Sequence, residues 1–291
     1  MLQLSIPLGY LLGLILALEF SPHYGWRMIY IFTGSLGLLL SILIFFGVKD
    51  VPRGLSEPDL IISEQLQSTR LELPEIRQLF KIPSLRFLFL QGLIGVLPWQ
   101  VITFWSFRYL EVERNYGPST VSSIMIPAIL MIGAGYFFGG FIGDAVYKRT
   151  IRGRIIVSIF SILLGAIFLS ITLYQPLENV TSFRILLAIT SFFIPLASPN
   201  IASSVYDVVL PEMRSTATSI QYFLGNIGSA FAPLLAGAIS QSYSLHTALL
   251  VISLSAWTVT AAVLALSLIN FKSDRNKMRQ ELQKRSLSLS S

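Results

Sequence analysis

Few side chains in this sequence can do chemistry, and most lie within or at the ends of long apolar runs. One run closes on Gly140-Phe-Ile-Gly143-Asp144-Ala-Val-Tyr147-Lys148-Arg149. A carboxylate just ahead of a basic pair, at the end of an apolar segment, can pair with the basic turn or accept from a neighbouring helix N-terminus. A second charged set follows in Tyr206-Asp207-Val-Val-Leu-Pro211-Glu212-Met-Arg214, where Asp207 and Arg214 are placed for a local charge pair. Uncharged groups able to hydrogen-bond a solute sit deeper in the runs: Gln91, Trp99 and Gln100, then Asn200 and Tyr206, then Gln221 and Asn226. Arg108 can hold a carboxylate through two parallel hydrogen bonds. Ionisable groups in apolar segments are costly and mark function by default. Glu19, Arg108 and Arg184 lie near run ends, where a long side chain reaches water cheaply. For the amides and rings, hydrogen bonding between helices, worth about 1 kcal/mol or less each, is the competing role.

The same inventory excludes other chemistries. The sequence has 0 Cys, hence no disulfide and no thiolate metal site. Its 2 His, His23 and His246, are too far apart in sequence to form a ligand pair of the helical kind. There is no Gly-x-x-x-x-Gly-Lys-Ser/Thr loop and no paired catalytic constellation, so the expectation is no enzyme, no cofactor and no metal centre.

The elements that must position these residues follow from composition. Of 291 residues 53% are hydrophobic and 12% charged, against about a quarter charged in a soluble domain. A bilayer-spanning helix takes about 20 mostly apolar residues. Eight runs qualify: Gln3 to Phe20, Trp26 to Val48, Arg86 to Arg108, Ser119 to Tyr147, Arg154 to Tyr174, Thr181 to Val209, Thr216 to Ser240 and His246 to Asn270. They are too long and uniform for barrel strands. The sequence predicts an all-α polytopic membrane bundle of about eight transmembrane helices, embedded in a lipid bilayer.

Charge sets the orientation. With eight spans, all of the 21 Lys and Arg except Arg27, Arg108, Arg114 and Arg184 fall on one side. The positive-inside rule then puts both termini in the cytoplasm. That distribution assigns the net charge of +6 to a membrane and not to nucleic acid. Four segments emerge: two helices in 1–48, a charged, proline-bearing cytoplasmic loop in 49–85, six helices in 86–271 and a basic, solvated or surface-associated tail in 272–291. Leu73 to Phe80 reads as a short interfacial amphipathic helix, with Leu79 and Phe80 toward lipid. Gly135, Gly139 and Gly143 form a small-residue stripe; Gly9 and Gly13, and Gly225, Gly228, Ala232 and Ala236, form others. Such stripes let helix backbones approach closely. Pro195 and Pro199 mark a bending point in the sixth run.

The run Gly140 to Arg149 resembles the Gly-x-x-x-Asp-x-x-x-Arg/Lys loop of the major facilitator superfamily, with Tyr147 in place of the family's usual glycine. Pro7-Leu-Gly9-Tyr-Leu-Leu-Gly13 and Gly25-Trp26-Arg27 resemble its fifth and sixth helices, and Val48-Lys-Asp-Val-Pro52-Arg53-Gly54 the exit into its central loop. Gln91-Gly-Leu-Ile-Gly-Val-Leu-Pro98-Trp99 resembles the seventh helix of the Spinster-like branch, and Tyr206 to Ala217 the tenth helix and its turn. The resemblance implies helices five to twelve of a twelve-helix fold: a complete C-terminal six-helix half and an incomplete N-terminal half. It implies secondary-active transport of a small organic solute by alternating access, in the cell membrane, as part of a longer or split transporter. It puts Gln91, Trp99, Gln100, Arg108, Asn200, Tyr206, Gln221 and Asn226 on the substrate pathway. Gly140, Asp144, Lys148, Arg149, Asp207 and Arg214 become a cytoplasmic gate, with the first helix near Met1 to Ser5 facing Asp144. The implied partners are a small-molecule substrate such as an amphiphilic organic anion, a coupling proton and the missing N-terminal half. A non-transporting fragment, or a regulatory or scaffolding partner of a full transporter, is the competing reading.

Overall fold

The computed structural model describes residues 5–49 and 73–290, and every regular element in them is helical. A helix satisfies its own backbone donors and acceptors, which is what an apolar run in hydrocarbon requires. The chain opens with α1 (Ser5–Ile15), a π-helical turn over Leu16–Phe20 and α2 (Ser21–Tyr24). Gly25, at φ 77°, reverses the chain into α3 (Trp26–Gly47). After α4 (Leu73–Leu79) come α5 (Pro83–Arg108), α6 (Pro118–Tyr147), α7 (Gly153–Leu173), α8 (Val180–Phe193), α9 (Ala197–Tyr206), α10 (Arg214–Ser242) and α11 (Leu245–Ser290).

Seven described helical segments, not eight, are long and apolar enough to cross a membrane. Of the first expected span, the described part comprises α1 and the π-helical turn that follows it. The sixth span breaks where the prolines predict. Ile194–Leu196 is a 3₁₀ turn between α8 and α9, since Pro195 lacks the N–H that would bond Ser191. Two further expectations are corrected. Leu79 is 1% exposed and packs into the core, leaving only Phe80 outward, where its ring leans on Phe89. The tail past Asn270 is a continuation of α11, with Phe271, Asp274 and Arg275 buried.

Helix α5 packs against α10 and α11, α6 against α8, and α7 against α8, α9 and α11. Their core holds Phe89, Phe183, Trp257 and Phe271. Helix α1 lies on α6, where Pro7 meets Gly133, whereas α3 buries no residue at all. An apolar helix of 22 residues with none of them buried is a surface for lipid or for other helices.

The tightest approach is between α6 and the broken α8–α9 segment. A Cβ at Gly139 would sit 2.6 Å from the Leu196 carbonyl oxygen, one at Gly135 would sit 2.6 Å from Pro195 Cγ, and one at Gly143 would overlap the Asn200 side chain. Through this gap Asn200 Nδ2 donates to the Gly139 and Leu196 carbonyls, at 2.8 Å each. The stripes at Gly9 and Gly13 differ, because no atom lies within 4 Å of a Cβ built at either.

Polar contacts sort the bundle into two ends. At one end Ser84, at the start of α5, donates through N and Oγ to Asp274 of α11, at 2.9 and 2.7 Å, and Arg285 pairs with Glu212 at 2.6 Å. At the other, Arg114 is 4% exposed. It donates to the Gln175 and Pro176 carbonyls at 2.9 Å, and its guanidinium lies over Phe183. Glu113 accepts from the backbone N–H groups of Leu245 and His246, satisfying donors at the start of α11. The basic turns thus gather at one end, as the charge pattern predicts.

Replacing Gly139 by Ala forces α6 off the break and costs about 1–3 kcal/mol, the usual penalty of overpacking. Gly140→Ala, with open space at its Cβ, costs almost nothing. Thermal unfolding of the detergent-solubilised protein checks the contrast; equal melting temperatures would refute the close approach.

Candidate functional site

The backbone geometry around α5 and α10 creates the main polar cavity. Gly92 lets Gln221 approach, since a Cβ there would meet Gln221 Cγ at 3.1 Å, and Gly228 lies against the Leu93 carbonyl. The helices cross closely at these glycines. The space left between them, the α8–α9 break and Tyr136 of α6 is a cavity of about 280 Å³. Gln91, Trp99, Tyr206 and Gln221 all line it. Gln91 Oε1 itself is buried with no hydrogen-bond partner among the described residues, and so is Thr260 Oγ1, which lies outside the lining and which a Cβ at Gly95 would meet at 3.5 Å. A buried amide oxygen without a donor carries a desolvation cost of about 1–3 kcal/mol.

The other four pathway residues from the sequence lie outside this lining. Asn200 is 2% exposed and committed to the Gly139 contact, the interhelical role that competed with the pathway role. Gln100 receives a 3.4 Å bond from Thr103 on its own helix. Arg108, at the far end of α5, and Asn226 are exposed. Sequence reasoning missed Tyr136, Ser198, Thr218, Tyr222 and Trp257, which also line the cavity. Thr218 and Tyr222 were within reach of the same logic, since Thr218 stands three residues before Gln221 and four before Tyr222 on one helix. Tyr136 adjoins the glycine stripe; Trp257, in an apolar run, gave no signal. A second, mainly apolar cavity of about 490 Å³ lies between α1 and helices α5, α6 and α8.

At the basic end, the charge cluster has a centre the sequence did not single out. Arg154 Nη2 pairs with Asp144 Oδ1 and Arg154 Nη1 with Asp207 Oδ2, both at 2.7 Å. Its guanidinium lies 4.1 Å from the Tyr147 ring centroid, and Tyr147 donates to Asp207 Oδ1 at 3.3 Å. Arg154 therefore ties α6, α7 and the end of α9 together. Asp207 pairs with Arg154; the guanidinium of Arg214, the partner that the sequence suggested, lies 5.8 Å from the Tyr206 ring. The Asp144 contact expected from the start of the first helix involves Met1 to Leu4, outside the described residues, as is the side chain of Glu19. Lys148 and Arg149 are exposed. The turn they occupy owes its tightness to Gly153, where a Cβ would lie 2.6 Å from the Tyr147 nitrogen, so Tyr147 is free to serve as the ring under Arg154.

The two carboxylates differ in environment. The Asp207 side chain is 18% exposed and that of Asp144 is 62% exposed. Hydrogen bonds to a sheltered charged group are worth about 1.5–3 kcal/mol, whereas an exposed pair is worth about 0–1 kcal/mol. Asp207→Asn is therefore expected to lower stability clearly and Asp144→Asn hardly at all, as read by thermal unfolding. The reverse order would remove Arg154 from the centre of the cluster.

Comparison with known proteins agrees with this architecture. The chain is 26% identical over 222 residues to the hexuronate transporter of Bacillus subtilis (strain 168), covering 74% of this chain and 51% of that protein. It is 25% identical over 253 residues to the cis,cis-muconate transport protein of Acinetobacter baylyi (strain ATCC 33305 / BD413 / ADP1), covering 84% and 57%. It is 24% identical over 283 residues to the sialic acid transporter NanX of Escherichia coli (strain K12), covering 90% and 61%. The chain thus spans about half to three-fifths of these relatives' lengths. Among solved structures, a bacterial homologue of the human lysosomal transporter Spinster, in an inward-facing and unoccupied conformation, shares the fold. Its TM-score is 0.55 at 14% identity, over 94% of this chain and 64% of that one. The sequence profile of the Major Facilitator Superfamily matches residues 1–233 and, in a second match, 150–290, and this integral membrane chain belongs to that superfamily.

Proposed function

We propose that this chain forms part of a secondary-active transporter and carries a small organic anion by alternating access. The observation that supports this best is the cavity between α5, the α8–α9 break and α10, on which Gln91, Tyr206, Thr218 and Gln221 converge from three helices. Ion gradients, with a proton as the coupling ion, drive the movement. Residues 86–271 act as the C-terminal six-helix half, the 49–85 segment as the central loop, and both termini face the cytoplasm of a plasma membrane. The anion class comes from relatives named for hexuronate, cis,cis-muconate and sialic acid. Gln91, Gln221, Tyr206 and Trp99 hold the uncharged part of the solute; Gln100, Arg108, Asn200 and Asn226 serve the pathway only indirectly, Arg108 by attracting anions at the far end. Arg154, Asp144 and Asp207, with Gly140, Lys148, Arg149 and Arg214 around them, brace the cytoplasmic end during the switch.

One observation favours an added partner: α3 buries none of its residues. Helices of an N-terminal half would cover it. A scaffolding role without transport is the alternative that the following experiment separates. The protein is reconstituted in liposomes with an inward proton gradient, and uptake of labelled glucuronate, cis,cis-muconate and sialic acid is measured. Saturable uptake of one of them is expected. Gln91→Ala and Gln221→Ala each raise its KM roughly fivefold, the worth of about one hydrogen bond. Uptake no faster than in protein-free liposomes for all three would leave the scaffolding role.

A further inference from the structure

The polar and apolar cavities have two lining residues in common, Trp99 and Ile194. On the Trp99 side toward the basic end lies the cavity with Gln91 and Gln221. On the other side lies the larger one, walled by Leu14, Ile102, Met125 and Leu187 among others. Three of the hydroxyls in that second wall are spent on their own helices. Thr103 donates to the Trp99 carbonyl at 2.9 Å, Thr190 to the Leu186 carbonyl at 2.8 Å, and Ser106 to the Ile102 carbonyl. The two spaces therefore differ in kind: one is lined by Gln91, Tyr206, Thr218 and Gln221, the other mainly by apolar side chains that solvate a charged solute poorly.

Both shared residues stand beside a proline, Trp99 within the continuous α5 and Ile194 in the 3₁₀ turn between α8 and α9. Pro98 precedes Trp99 inside α5 and removes the donor that would bond Ile94. Ile194 opens the 3₁₀ turn and precedes Pro195. Ile194 is also seated in a socket: a Cβ at Gly165 of α7 would lie 2.8 Å from its Cγ1. A side chain at a point where the backbone ladder is interrupted can swing with a small change in backbone angles, while its neighbours stay packed.

We propose that Trp99 and Ile194 form an internal partition that divides the route through this half into a polar chamber, where the solute rests, and an apolar chamber, which a charged solute enters only when Trp99 swings aside. The proposal rests on the transport reading, but its test reads accessibility and not transport.

The sequence contains 0 Cys, so single reporters stand on a silent background. Ala202→Cys reports on the polar chamber and Thr103→Cys on the apolar one. In nanodiscs both are treated with the anionic reagent methanethiosulfonate ethylsulfonate. Ala202→Cys is expected to react quickly with or without Trp99. Thr103→Cys is expected to react slowly beside Trp99 and at least about tenfold faster beside Trp99→Ala, because a thiol behind a barrier reacts only through a minor open state. Trp99→Phe, which keeps a ring, retains the slow rate. Ile194→Ala speeds Thr103→Cys, and Gly165→Ala, which presses Ile194 out of its socket toward Trp99, does not. If Trp99→Ala fails to fold, as judged by thermal unfolding, the Ile194 and Gly165 pair decides. Reaction of Thr103→Cys as fast as Ala202→Cys beside intact Trp99, or rates unmoved by the decisive substitutions, overturns the partition. Uptake without this accessibility pattern removes the partition alone; the pattern without uptake removes the transport reading alone.

Discussion

The close approach of α6 to the α8–α9 break is the constraint on which the rest of this structure depends. Inside a membrane there is no hydrophobic drive between helices, so contact must come from packing and satisfied polar groups. Three glycines four residues apart remove every side chain from one face of α6. Into that face go the Pro195 ring, the Leu196 carbonyl and the Asn200 amide. Proline interrupts the α8–α9 ladder, and Asn200 answers by bonding the Leu196 carbonyl of its own segment and the Gly139 carbonyl of its neighbour. Because a break is tolerated in hydrocarbon only when the freed groups are covered, the glycine stripe is what lets this helix be discontinuous. The discontinuity in turn leaves room beside Ile194 and Pro195 for the polar cavity.

Electrostatics follows the same geometry. Arg154 is the first basic residue inside α7, and it faces the ends of both α6 and α9, the two elements that the glycine contact has already brought together. Its two carboxylates would repel each other without it. The Tyr147 ring beneath the guanidinium excludes water from one side and strengthens both pairs. Asp274 works differently. It bonds Ser84 from 190 residues away and so fixes where α11 meets the start of α5. The opposite end relies on Arg114, whose bonds run to backbone carbonyls of a turn and to neighbouring phenols. One end of the bundle is thus joined mainly by charge pairs that can exchange partners, the other mainly by hydrogen bonds into backbone.

Much of this was legible in the sequence because membrane helices must be long, apolar and internally bonded. The spans, the glycine stripe, the proline break and the sorting of basic turns all follow from single-residue properties and spacing. What stayed hidden depends on which way a side chain points. Asn200 and Gln91 are both amides in apolar runs, yet one is consumed by a helix contact and the other faces a cavity. Periodicity cannot separate them, because the difference arises from Gly143 standing opposite Asn200. Leu79 was read as facing lipid because α4 is short and amphipathic, but the neighbouring α5 turns that leucine into core. Arg154 was hidden by its position at the start of an apolar run, where it is one of many basic residues on that side until α9 is seen beside it. The π-helical turn at Leu16–Phe20 has no mark in composition at all.

The break and the cavity also explain each other energetically. A continuous α8–α9 helix would present a regular face and would need no glycine stripe to receive it. It would also leave no offset between Ile194 and Ser198 for a solute. A route through the bundle needs polar groups whose bonding is incomplete, and incomplete bonding in hydrocarbon is affordable only in small number. Here Gln91, Tyr206, Thr218 and Gln221 line one cavity. Asn200, which lies outside that lining, secures the Leu196 carbonyl in the neighbouring 3₁₀ turn. The polar groups offered to a solute are therefore side chains, whereas the backbone at the break is held by a residue that the solute does not meet.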